Sequence, residues 1–528
     1  MTTRIRACLG WTGAATTCAI LGIAMFFGCR GDYSGFGGDF LESGDTASFF
    51  RAIQVDPRSE DSAGPQFVAA SDVNNDGLVD LVSAWNQSQP VQVHIQRRSG
   101  GSITFETVTL AGNIPVIRVA GLVVADFDGD DHPDVAVLAK ETGLSAPECL
   151  DSENPGDGDY TGLIILYLAP SDVATVTQAL AWQEVVVESS RLGGGASTGP
   201  PGPPEEEGFT SMAVGDINLD DGPDLVVAWN PGGCNGGIPE TLLFTNLGPA
   251  GVRDGSWTAE RIPDAFEKGP LLEDEPGLPS IRVKDVKLTD VDGDGDTDIV
   301  ATYPDAASLN VRWYRNPRLD VPDDVHASDG NWQTGVVGQV SPKDNDFADL
   351  GGADAIQVGD IDGDGIPDVA VRSTGGAIVQ WLKGPTFPTS LTAPVTSGSV
   401  RQIPWQVYTL AEYTEGEPRA IALGDLTDDG RPELIASAGG SVAFYNADGA
   451  PSIFDQWPQS LIVNDDTGSS PTDPSVPSEV IAGGTFINSI LVVDVDGDGN
   501  NDLVATLDRS GLSGLSNDAL VWFQNTGP

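Results

Sequence analysis

One acidic peptide, Asp-x-(Asp/Asn)-x-Asp-Gly-x-x-Asp, recurs with local departures seven times along 528 residues, each copy followed by a short apolar run. The copies begin at Asp72, Asp126, Asp216, Asp290, Asp360, Asp425 and Asp494, at intervals of 54, 90, 74, 70, 65 and 69 residues. The clearest read Asp290-Val-Asp-Gly-Asp-Gly-Asp-Thr-Asp298, Asp360-Ile-Asp-Gly-Asp-Gly-Ile-Pro-Asp368 and Asp494-Val-Asp-Gly-Asp-Gly-Asn-Asn-Asp502. Alternate acidic side chains on a tight loop converge on one centre. That arrangement holds a hard cation through oxygen ligands, and calcium is its usual occupant. The sixth position is Gly or Asp because the backbone turns sharply there, with φ above zero. One copy is compatible with an acidic surface turn; seven in register define an architecture.

Around each loop the same segments return. A short apolar strand ending in Asp precedes it, as in Leu122-Val-Val-Ala-Asp126 and Ile356-Gln-Val-Gly-Asp360, and a β-rich run such as Leu225-Val-Val-Ala228 follows. An alternating strand ending near Asn comes third: Val311-Arg-Trp-Tyr-Arg-Asn316, Val442-Ala-Phe-Tyr-Asn446, Val521-Trp-Phe-Gln-Asn525. A fourth strand often opens on Trp, at Trp257, Trp332 and Trp405. Short strands with β-branched and aromatic residues at period two argue for an all-β chain. Four-stranded units repeated radially make a propeller, so seven loops imply seven blades. The third strand of the seventh unit is the last, while an extra strand, Phe49–Val55, precedes the first loop. This N-terminal strand is expected to complete the last blade and leave no free edge there.

An EF-hand is excluded, because that loop needs a bidentate Glu at position twelve and flanking helices. Position twelve here is Ser83, Val137, Val227, Ala301, Val371, Ala436 or Ala505. The units instead resemble FG-GAP or VCBS-type repeats, the family of the integrin α-subunit propeller and many bacterial surface proteins, over residues 48–528. That resemblance implies up to seven structural calcium ions, held by positions one, three, five and nine and the carbonyl at position seven. Carried over residue by residue, it gives Asp290, Asp292, Asp294 and Asp298 with the Asp296 carbonyl; Asp360, Asp362, Asp364 and Asp368; and Asp494, Asp496, Asp498 and Asp502. The first loop gives Asp72, Asn74, Asp76 and Asp80, the third Asp216, Asn218, Asp220 and Asp224, each with one carboxylate replaced by an amide. The second gives Asp126, Asp128, Asp130 and Asp134, with Asp131 where Gly is expected and His132 facing solvent. The sixth departs most, with Thr427 and Glu433 beside Asp425 and Asp429, and ranks last in expected affinity. Such ions staple blades rather than catalyse, since no Cys or other redox-type ligand set lies within the loops.

Charge narrows the partners. With 78 acidic and 26 basic residues the formal charge is −52, and 29 of the carboxylates lie in the seven loops. Nucleic acid and anionic lipid surfaces are therefore poor partners, since phosphate neutralisation needs clustered Lys and Arg. Residues 1–29 read as an export signal, with Arg4 and Arg6 before an apolar stretch, and Cys29 is a candidate lipidation site. The Gly/Asp/Ser-rich residues 30–47 read as a tether, so any membrane link runs through the lipid. Cys149 and Cys234 are candidates for a disulfide between adjacent units of an exported protein.

Insertions concentrate at the ends of the units opposite the acidic loops, at 189–208, 263–280, 341–352 and 465–478. Long loops on a rigid scaffold are the usual place for binding. Trp85, Trp229, Trp313, Trp381 and Trp522 alternate with polar residues and are read as blade-to-blade core rather than sugar platforms. The expectation is a monomeric, exported binding module for a glycan or protein, either an outer-membrane or cell-surface lipoprotein or secreted. The competing readings are a calcium-dependent polysaccharide lyase or sugar-modifying enzyme and a structural subunit of a surface assembly. Only His94, His132 and His326 could serve as histidine bases, and none belongs to a local catalytic pattern.

Overall fold

In the computed structural model, the described residues are 50–55, 64–142, 162–187, 208–230, 240–262, 282–304, 310–318, 332–338, 352–373, 377–386, 405–412, 418–438, 441–445, 459–463, 486–508 and 519–526. Export signal, tether, Cys29, Cys149, Cys234 and most of the four insertions lie outside them.

The described strands form seven four-stranded antiparallel sheets. Blade one comprises Pro65–Ser71, Asp80–Trp85, Val91–Ser99 and Ser102–Thr109, and blade four Val286–Thr289, Asp298–Thr302, Val311–Arg315 and Gln333–Gly338. Blades two, three, five and six repeat that order, their first strands being Val116–Ala125, Gly208–Gly215, Ala355–Gly359 and Pro418–Gly424. Blade seven holds Phe486–Val493, Asp502–Asp508 and Ala519–Asn525, and its fourth strand is Phe50–Gln54 from the other end of the chain. That strand pairs Phe50 with Asn525 and Gln54 with Val521, as the repeat pattern predicts.

First strands of successive blades abut, and that of blade seven abuts that of blade one, so the ring closes. Apolar burial follows the same plan. Seven core clusters are resolved, and each draws on two neighbouring blades. The second strands are buried on both faces, as in Asp80–Trp85 and Asp298–Thr302, because a blade is sandwiched between two others. Trp85, Trp313, Trp381 and Trp522 are fully buried and Trp229 is half-buried, which makes them packing residues.

Candidate metal centres

Every acidic loop joins the first strand of a blade to its second, so the seven loops sit at the same end of their blades. Their backbones share one conformation. Positions four and six both have positive φ in all seven, from Asn75 (54°) and Gly77 (82°) in the first to Gly497 (68°) and Gly499 (95°) in the seventh. Left-handed backbone favours Gly, then Asn and Asp, which explains Asp131 at φ 66° and Asp221 at φ 68°. Leu219 at φ 58° breaks that preference.

The first carboxylate organises this turn. In the fourth loop Asp290 Oδ1 accepts from the Asp294 N–H (3.1 Å) and Oδ2 from the Gly295 N–H (2.9 Å). The same pair of bonds recurs from Asp72 to Asp76 and Gly77 and from Asp494 to Asp498 and Gly499. The fifth residue turns its own carboxylate onto the seventh N–H, as Asp364 does to Ile366 (3.0 Å). Backbone donors thus hold the first and fifth carboxylates in place within the loop.

The ninth carboxylate sits deepest. Asp80, Asp134, Asp224, Asp298, Asp368 and Asp502 have no exposed surface. One oxygen of each accepts the N–H of loop position two (Val291 to Asp298, 3.0 Å), the other an N–H from the later part of the third strand or the residue just beyond it (Asn316 to Asp298, 2.7 Å). Burial raises these acids despite the backbone bonds: Asp80, Asp224 and Asp368 to about 7, Asp134 to about 8 and Asp502 to about 6. Asp298 is raised well above its ordinary value, by burial and by the nearby Asp292. In the sixth loop Glu433 takes this place, accepting from the Leu426 N–H (2.6 Å) and the Thr427 hydroxyl (2.8 Å).

In five loops the structure brings three carboxylates together with ligand atoms within 4.8 Å of one another: Asp126, Asp128, Asp134; Asp290, Asp292, Asp294; Asp360, Asp362, Asp368; Asp425, Asp429, Glu433; and Asp494, Asp496, Asp502. The sixth loop, ranked last from sequence, is among them, with Glu433 in the ninth position. In the first and third loops the Asn74 and Asn218 amide oxygens stand at position three and accept from Asp76 (3.0 Å) and Asp220 (2.9 Å).

The decisive atoms are at position three. Asp128, Asp292 and Asp362 have side chains only 3%, 1% and 10% exposed. In each, Oδ1 is buried with no hydrogen-bond partner. Leaving one buried polar atom unsatisfied costs about 1–3 kcal/mol, more for a charged group. An equivalent oxygen orphaned in three equivalent loops fits a cation that takes oxygen ligands.

Side-chain cations reach the same carboxylates, which the repeat pattern did not disclose. Arg315, 1% exposed at the end of its third strand, bonds Asp292 Oδ2 through Nε and Asp294 Oδ2 through Nη2, both at 2.5 Å. Lys383, one blade on, contacts Asp362 and bonds Asp364 (2.7 Å), and Arg253 of the short helix Pro249–Asp254 bonds Asp128 (2.6 Å). His132 is half-buried rather than solvent-facing, because its Nδ1 lies 3.1 Å from the Asn75 amide of the preceding loop.

Position two also escaped the motif reading, although its signal is plain. Val73, Phe127, Ile217, Val291, Ile361, Leu426 and Val495 are all apolar and at most 2% exposed. Each packs in the cluster that its blade shares with the next, so every acidic loop is anchored between blades.

Elsewhere, Ser83 Oγ and His94 Nε2 meet at 2.8 Å, but both residues are fully buried and Trp85 Nε1 also donates to that hydroxyl. Burial holds the His94 imidazole down at about 3, so it is a neutral core group. At the strand ends opposite the acidic loops stand Arg118, Lys140, Arg282, Lys284, Arg372 and Arg419. Arg372 donates to the Pro418 carbonyl (3.3 Å) and to that of Arg419 in the next blade.

Fold and loops together define a class: a seven-bladed β-propeller with an acidic loop in every blade. Residues 72–137, from the first loop into the second strand of blade two, match the FG-GAP-like repeat family. Comparison with curated proteins returned no match. Among solved structures, one described as the basis of specific recognition of non-reducing terminal N-acetylglucosamine by an Agrocybe aegerita lectin is similar at 14% identity and TM-score 0.39, over 77% of this chain and 82% of that one. Another, BBS1N in complex with ARL6DN, is similar at 12% identity and TM-score 0.42, over 90% of this chain and 97% of that one. Neither likeness carries an argument about function. Among the described residues, no helix is long and apolar enough to cross a membrane.

Proposed function

We propose that this chain is a calcium-braced recognition scaffold, exported by its N-terminal segment and held at the cell surface through Cys29 or released. Calcium binds the acidic loops, and the opposite end of the propeller binds a glycan or protein partner. The observation that carries the cation reading is the orphaned, buried oxygen shared by Asp128, Asp292 and Asp362. When bound, the ion supplies positive charge at the centre of the loop, and the chain supplies carboxylates already held by its own backbone N–H groups. Placing recognition at the far end rests on the insertions there, since long loops on a rigid scaffold are the usual place for binding.

Two measurements test this reading. Thermal melting in calcium and in excess chelator should show a fall of several degrees without the ion, because a ligand of the folded state stabilises it by mass action. Unchanged melting would remove the ion. A glycan array probed with residues 30–528 in calcium should give binding to a defined sugar class that is weakened by chelator. A blank array from the folded protein would move the partner to the protein class.

A further inference from the structure

The residue that follows the third strand does more than bond its own loop. In blade four the Asn316 N–H bonds Asp298 (2.7 Å), and its Nδ2 donates to two carbonyls: Thr297 of the same loop (3.0 Å) and Ile217 of the loop before it (2.9 Å). Ile217 is position two of the third loop, between Asp216 and Asn218, so the donor grips that loop among its candidate ligands. Two residues on, Arg318 Nε bonds the Asn218 carbonyl (2.7 Å), while the Arg318 N–H bonds the Asn316 amide oxygen (3.1 Å).

The link recurs. Asn246 donates to the Phe127 carbonyl (2.9 Å), and Asn525 to those of Leu426 and Asn501 (both 3.0 Å). In blade one Gln96, inside the third strand rather than after it, does the same with a longer side chain, reaching the Val495 and Val79 carbonyls (both 2.8 Å). Arg98 there repeats the part of Arg318, bonding the Asp496 carbonyl (2.5 Å) and the Gln96 amide oxygen (2.9 Å). Blades two and five depart: Ala169 and Gly384 keep the backbone bond to Asp134 and Asp368 but have no side chain to cross the junction. Between loops one and two, Asn75 Nδ2 supplies another route, to the Asp131 carbonyl (2.9 Å).

We infer that Gln96, Asn246, Asn316 and Asn525 are positioning residues, each shared by two adjacent cation loops, so that loading one loop raises the affinity of the loop before it. The inference rests on the calcium reading above. An ion in loop four draws Asp298 and its neighbours into a fixed geometry. That geometry holds Asn316, and Asn316 holds the Ile217 carbonyl between two ligands of loop three. Loop five transmits nothing to loop four by this route, because Gly384 stands at the junction.

The test is hydrogen exchange on the full chain across a calcium titration, following amides 217–221, 291–295 and 361–365 of loops three, four and five. Asp294→Ala disables loop four. The expected result is a rise of about fivefold or more in the calcium midpoint of loop three, the lower end of usual coupling, with loop five unmoved. Asn316→Leu, which keeps every carboxylate, should make loop three indifferent to Asp294→Ala, and Asn316→Gln should restore the dependence with the amide that blade one uses. A loop three that ignores Asp294→Ala, or a loop five that shifts as far as loop three, overturns the coupling while leaving the ions in place. Loops that show no calcium-dependent protection in the unaltered chain overturn the coupling and the cation reading together.

Discussion

At the scale of single residues, the loops are held by opposed charges and by one strained backbone position. Arg315 is fully buried against Asp292 and Asp294, and removing one partner of such a pair leaves charge uncompensated in the interior. Arg315→Met should cost about 3–5 kcal/mol in chelator. In calcium the loss should be distinctly smaller, because the ion supplies the missing charge; equal losses in denaturant titrations under both conditions would mean that ion and guanidinium do not share the carboxylates. Leu219 presents the opposite opportunity. It occupies left-handed backbone at φ 58° and is 41% exposed, so little packing is forfeited by removing its side chain. Leu219→Gly should stabilise the chain by about 1 kcal/mol, read as a higher denaturant midpoint at unchanged slope.

At the scale of the loop and its strands, protons and calcium compete for the ninth carboxylates. Five of these acids rise from an ordinary 3.8 to between about 6 and about 8 when folded. A folded value above the unfolded one means stability that is complete below about pH 4 and is lost as pH climbs through the folded values. The chelated protein should therefore melt highest in mild acid and progressively lower toward pH 8. In calcium, which favours the ionised form, that decline should flatten. His94, depressed to about 3, acts with the opposite sign below its ordinary 6.5, but it is one group against five. A chelated melting temperature that rises steadily from pH 5 to 8 would contradict this assignment.

The same elements show what a sequence discloses. Loop, strand order and blade number were legible because Asp-x-Asp-Gly spacing and period-two apolar runs are local, and local patterns survive in a linear string. The anchor at position two was equally visible as an unbroken row of Val, Phe, Ile and Leu, yet its meaning needs the neighbouring blade. Arg315, Lys383 and Asn316 were written at the ends of third strands, but which carboxylate or carbonyl they meet depends on how far a side chain crosses the sheet, and no spacing encodes that. Cys149 and Cys234 fall outside the described residues and stay an expectation.

At the scale of the whole molecule, seven blade interfaces and one clasp account for closure. The clasp is the pairing of Phe50–Gln54 with Ala519–Asn525, and the Val55 N–H bond to the Leu520 carbonyl (2.9 Å) sets its alternation. By that alternation Ile53 faces Trp522 as a bonded pair. Ile53→Pro removes a ladder donor and should lower the melting temperature even in saturating calcium. A variant that melts unchanged would show that the interfaces alone hold the ring.

The clasp also imposes an order in time. Its first half is among the earliest parts of the fold to be made and its partner among the last, so the early strand must wait, unpaired, while nearly the whole chain is synthesised. A contact of such long sequence separation is slow to form, and a product broken off before the final strand has nothing with which to meet it. Completeness of the polypeptide is thereby checked by geometry: only a chain translated to its last blade can shut the circle, and a shortened one displays an open, pairing-competent edge for quality control to find.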